Sequence, residues 1–246
     1  MRFTYPPPVR QRVPLEKAVR RHSALRCRKA CENFGVGSPQ TLSEADRRIV
    51  AAWAADCAER VLGLFEAEAP EDGGPRDAVA RARAFARGEL SVAEGIRRRF
   101  AVGGIARDVS AHALAAARAA GQAAAIVHMG AHALGAAAYA AKAIGLAAPD
   151  RPKAISEEIR WQLDRTSTAA RAALRTLPPV GANPSGPLGP GLLASGLLGA
   201  IILEIQASLA DPDHVLPAEW HIDRRDRAAS VRSATGRRAM RRTTRT

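Results

Sequence analysis

Aromatic residues make up only 4% of this 246-residue chain, β-branched residues are sparse, and there are three cysteines. A sheet needs Val, Ile, Thr and aromatics to cover its pleated faces, so the first two shortages argue against one. Three cysteines, an odd number, do not make a disulfide framework, and a reducing cytoplasm is the expected compartment. The opening "MRFTYPPPVRQRVP" has prolines where a secretory signal would need its apolar core, so no such signal is expected. Long hydrophobic runs are also missing. "LLASGLLGAIIL" (Leu192–Leu203) is apolar but short of the roughly 20 residues a membrane span needs. The Ala120–Ala141 stretch is long enough, but its Ala, Gly, Gln and His are too weakly hydrophobic to insert, so no membrane association is expected.

Alanine dominates what is present, and it is the strongest helix former. The expected fold is all-α, an Ala-rich bundle or set of stacked helical hairpins of five to six helices, with poorly ordered N- and C-terminal extensions. Ser43 caps a first helix, with Glu44 and Asp46 in its first turn and Ile49, Trp53, Cys57, Val61 and Leu64 at helical spacing. Pro75 opens a second helix that Gly88 closes. "SVAE" (Ser91–Glu94) is a capping box for a third, and Gly103–Gly104 interrupts it before Ile105–Ala120 resumes as helix. Gly121 is a bend or a stop. A helix carrying "HMGAH" then runs to about Ile144, with Gly130 and Gly135 permitting close contact, and a last one covers Ala154–Leu177. The organisation read from this is a basic, partly helical extension at 1–42, an all-α domain at 43–177, and a Pro/Gly linker at 178–191. A short apolar helix at 192–210 and a basic disordered tail at 211–246 follow.

The formal charge of +13 is uneven: residues 1–42 carry nine basic against two acidic residues, 43–176 nineteen against sixteen, and 177–246 nine against six. Basic ends can bind phosphates, and they can equally be solvated tails. Only four of the 37 basic residues are Lys. Nucleic-acid binding through the terminal segments is therefore the alternative reading, not the leading one.

His128 and His132 stand four residues apart. At about 100° per residue on one straight helix from Arg118 to Ile144, they share an arc with Gly135, Tyr139 and Lys142, and Arg118 lies at its edge. Ile126, Val127, Leu134 and Ile144 take the opposite side. Arg118, His128, His132, Tyr139 and Lys142 thus form a candidate partner-binding stripe facing water, a groove or a partner. The same spacing suits a metal, with His112 as third ligand, but "MGA" between the histidines holds no glutamate base, and His112 shares a face with Ile105, Val109 and Ala116. A metal-dependent enzyme with a His112/His128/His132 site is a third reading. Cys27 and Cys31 with His22 do not have the usual zinc spacing. The three arginines of "IRRRF" (Ile96–Phe100) fan around a helix, and no phosphate loop, dinucleotide fingerprint or nucleophile elbow appears. No catalytic residue, metal or cofactor is assigned.

Four segments resemble the Imm-5-like family of bacterial immunity proteins: "WAADCAERVLGLFE" (Trp53–Glu66), "PRDAVARARAFARGE" (Pro75–Glu89), "AHALAAARAAGQAAAIVHMGAHALGAAAYAAKA" (Ala111–Ala143) and "RWQL" (Arg160–Leu163). They come in the family's order and cover about residues 44–176. The resemblance implies a small, cytoplasmic, helical protein, not an enzyme, that neutralises a cognate toxin by stoichiometric binding. On that reading Tyr139 would be the first choice of anchor, since interfaces draw energy from a few Tyr, Trp and Arg side chains.

Overall fold

Each helix start is decided by where its first backbone N–H groups find an acceptor. In the computed structural model, which describes residues 38–98 and 108–220, Ser43 Oγ accepts from the Asp46 N–H and opens α1 (Glu44–Glu66). Pro75 lies in the first turn of α2 (Gly74–Ala86), and Ser91 Oγ accepts from the Glu94 N–H at the start of α3 (Val92–Arg98). Ser110 caps α4 (Ala111–Ala125) by accepting from the Ala113 N–H, while its own N–H and Oγ donate to the two carboxylate oxygens of Glu68. After α5 (His132–Ala147), Asp150 caps α6 (Arg151–Asp164) and Ser167 caps α7 (Thr168–Arg175). A single 3-10 turn at Leu192–Ala194 precedes α8 (Gly196–Ala210). Among the described residues there are eight α-helices and no strand, so the fold is all-α.

Pro39 onward forms one unit, with α5 at its centre. Helices α1, α4, α6 and α8 all pack on α5. From Ala133 to Ala141 every residue of α5 is buried. A helix enclosed on every side must be apolar all round, and its neighbours can come close only if its side chains are small, which is why alanine fills it. Gly145 shows the limit: a Cβ there would stand 2.5 Å from Ile155 of α6.

Two expected helices differ from the observed ones. The stretch expected as one helix from 154 to 177 is two, because Ser167 re-caps the chain and the Thr166 hydroxyl donates back to the Gln162 carbonyl at 2.9 Å. The stretch through "HMGAH" is also two, with turns at 126–131 between α4 and α5, and Gly121 lies inside α4. On α1 the buried face is Val50, Trp53, Ala54, Cys57, Val61 and Phe65, whereas Ile49, expected on it, is 36% exposed.

The Pro/Gly stretch at 178–191, expected to be a linker, is mostly exposed, with Leu188 and Gly189 buried within it. Gln40, 1% exposed, donates from Nε2 to the Ser185 carbonyl at 2.7 Å and accepts from the Leu188 N–H at 2.9 Å. Leu188, with Leu197, Ile201, Ile202 and Ile205 of α8, is fully or almost fully buried, and Leu216 and Trp220 beyond α8 are buried as well. The apolar side chains of α8 cover a face of α5 that would otherwise meet water, and the Trp220 indole donates to Ser156 Oγ of α6 at 3.1 Å. The expectations for Cys27, Cys31, His22, Gly103–Gly104, Arg99 and the tail from 221 lie outside the described residues.

Candidate functional site

The candidate stripe begins where α4 ends. After Ala125 the chain winds through tight turns: the His128 N–H donates to the Ala125 carbonyl at 3.2 Å and the Met129 N–H to the Ile126 carbonyl at 3.1 Å. No side chain caps α5. The Gly130 and Ala131 N–H groups donate instead to the Thr41 and Gln40 carbonyls, both at 2.9 Å. A segment some ninety positions earlier in the chain thus supplies the acceptors that turn α5 away from α4. Gly130 is required for that approach, since a Cβ would stand 2.5 Å from Leu42.

The two histidines flank this turn with ring centroids 4.9 Å apart and planes tilted by 58°. Across from them, Gln122 of α4 places Oε1 2.8 Å from His132 Nδ1, so a neutral ring carrying its proton on Nδ1 donates to the amide oxygen. Gly135 admits the Gln122 side chain, for a Cβ there would stand 2.4 Å from Gln122 Oε1 and 2.9 Å from Leu193. Burial, with a smaller contribution from His128, lowers the His132 pKa to about 3. His132 is therefore neutral across the physiological range and engaged in a hydrogen bond that ties α4 to α5.

The other stripe residues are not arranged as one water-facing line. Arg118 is exposed on α4, with Cζ 5.9 Å from the centroid of the Tyr139 ring. Tyr139 is 3% exposed, so of the expected alternatives of water, a groove or a partner it does not face water. Lys142 and His128 are half-buried. The cause is the enclosure of α5: alanines read as a neutral background are contact surfaces for four neighbouring helices, so even the side with the polar residues is packed. His112 Nε2 stands 3.1 Å from Glu68 Oε1. Among the described residues no group of three or more His, Cys, Asp or Glu side chains has the geometry to hold a metal ion.

A second polar cluster was not singled out in the sequence. Glu158 of α6, 2% exposed, accepts from Arg60 Nε of α1 at 2.7 Å and from Gln162 Nε2 at 3.0 Å. Gln162 Nε2 also donates to the Ala137 carbonyl of α5 at 3.2 Å, and Trp53 Nε1 donates to the Gln162 carbonyl at 2.8 Å. Burial raises the Glu158 pKa, against the lowering effect of Arg60 and Gln162, and burial likewise pushes the Cys57 thiol up. Glu158 and Gln162 flank Ile159 on the buried side of α6, and a carboxylate and an amide at i, i+4 on an apolar face is the signal that could have located them. Nearby, the guanidinium carbons of Arg60 and Arg165 stand 4.1 Å and 4.6 Å from the Trp161 ring centroid.

Among the described residues no helix is long and apolar enough to cross a membrane. No curated protein and no solved structure matches the chain. The family model described as Imm-5 like putative immunity protein matches residues 40–169, from the Gln40 strap through α6 and into α7, including both histidines and the Arg60–Glu158 cluster. The chain belongs to this Imm-5-like immunity protein family.

Proposed function

We propose that the protein neutralises a toxin protein in the bacterial cytoplasm by direct, stoichiometric binding, acting by occupancy and not by turnover. The observation that carries this reading is the family match across residues 40–169. The histidine geometry agrees with it: the ring with the strongest environmental effect, His132, is held neutral and spent on a structural hydrogen bond to Gln122. Within the candidate stripe, Arg118 is the contact residue, flanked by Lys142 and His128, which are partly accessible. Tyr139 and His132 hold that face in place from beneath.

The test is co-expression with the toxin-domain product of a neighbouring gene. The expected result is rescue of growth and a complex of fixed stoichiometry on size-exclusion chromatography. Rescue without any complex would point to an indirect or catalytic action and sink the reading.

A further inference from the structure

The C-terminal half of α6 and the residue after it carry two arginines, Arg160 and Arg165. Among the described residues, neither Arg160 nor Arg165 is ion-paired, and both are exposed. Arg165 stands over Trp161 beside Arg60, so the Trp161 ring limits the freedom of both guanidinium groups. Arg160 lines a cleft of about 380 Å³ together with Arg171 of α7 and His214 beyond α8. Arg171 is held in that cleft by donating from Nη1 to the Ser208 carbonyl at 3.2 Å, and His214 Nε2 lies 2.8 Å from Glu204 Oε2. At the cleft's edge Val215 is 83% exposed, an apolar side chain beside cationic ones.

We propose that the cleft lined by Arg160, Arg171 and Val215, together with Arg165 held over Trp161 at the C-terminal end of α6, is a docking surface for an acidic, partly apolar segment of the partner protein. The proposal rests on the binding function above and adds to the Arg118 stripe a second contact surface with its own chemistry. Arginine forks pair bidentately with carboxylates, and guanidiniums already positioned by an indole or a carbonyl lose less freedom on doing so. Trp and Arg are the side chains on which interface energy concentrates. Two features favour a protein over a nucleic acid. Two guanidiniums already occupy the space over the indole, so a base would have to displace one before stacking. Val215 offers an apolar contact for which a sugar–phosphate chain has no counterpart.

The test uses the full chain and a fluorescein-labelled peptide of Glu, Asp and Leu, read by anisotropy, with a single-stranded oligonucleotide as the competing class. Arg160→Gln/Arg165→Gln is compared with Arg76→Gln/Arg87→Gln, which removes the same charge from exposed arginines elsewhere. The expected result is a loss of about tenfold or more in peptide affinity for the first pair and less than about twofold for the second. Equal loss in both would reduce the effect to net charge and overturn the proposal. A selective loss of oligonucleotide binding with peptide binding unchanged would also overturn it, in favour of a nucleic acid. Co-expression separates this failure from that of the function itself: if the wild type rescues and Arg160→Gln/Arg165→Gln rescues equally well, the immunity function stands and this surface does not. If the wild type does not rescue, the function falls, while the peptide titration still judges the surface.

Discussion

Arg60 on α1 and Glu158 on α6, ninety-eight positions apart, meet at 2.7 Å with the carboxylate side chain 1% exposed and the guanidinium side chain 41% exposed. The pair is one-sided: Glu158 is buried and needs its partner, whereas Arg60 retains access to water. Removing Arg60 leaves a desolvated carboxylate that still accepts from Gln162 Nε2, whereas neutralising Glu158 removes the desolvated charge itself.

Arg60→Ala is therefore expected to cost about 2–3 kcal/mol at pH 7, below the range for fully buried pairs because Arg60 is partly solvated, and Glu158→Gln about 1 kcal/mol or less. Because burial raises the Glu158 pKa, its stabilising contribution is complete below the ordinary Glu range and is lost as pH rises through the raised value. Urea unfolding of the wild type and both variants at pH 4 and pH 7 checks this. The Arg60→Ala deficit should shrink at pH 4, where Glu158 carries its proton.

His132 works in the opposite direction. Its folded pKa of about 3 lies below the ordinary histidine value, so its contribution is present above about pH 6.5 and is lost as pH falls toward 3. Between those limits the loss approaches about 1.4 kcal/mol per pH unit from this group alone. His132→Gln should flatten the acid side of a Tm–pH profile, and a profile parallel to the wild type would refute the assignment.

Gly135→Ala improves helix propensity by about 1 kcal/mol and should nevertheless destabilise the protein. The added Cβ meets Gln122 Oε1 at 2.4 Å, so Gln122 must move and His132 loses its acceptor. A net loss of about 1–3 kcal/mol by thermal or denaturant unfolding is expected, as for other overpacked sites. Gly121→Ala, where a Cβ meets nothing within 4 Å, is the control and should be neutral or stabilising.

Although the family match ends at residue 169, α8 closes the core on α5. A chain ending after Leu177 should lose cooperative unfolding, whereas one ending after Trp220 should keep it. Within α8, Ile202→Ala should cost about 2–5 kcal/mol, since Ile202 is fully buried. Calorimetry of the three proteins distinguishes these outcomes.

The helical class, the caps at Ser43 and Ser91 and the role of Pro75 were legible because each rests on chemistry within a few residues. The alanine content, the small number of aromatics and the position of the turn residues determine that this chain makes helices and roughly where they begin. Which side of a helix faces inward was legible only where large apolar residues mark it, as on α1, and even there Ile49 was misplaced. On α5 alanine marks no side, so Tyr139 looked like part of a surface stripe until four neighbouring helices enclosed it. The Gln40 and Thr41 carbonyls that end the α4 turn, the bond from the Leu188 N–H to Gln40 and the meeting of Arg60 with Glu158 all join positions distant in the chain. Those were decided by the tertiary structure alone, because a backbone donor or buried charge takes whatever partner packing brings to it, and nothing local encodes which one.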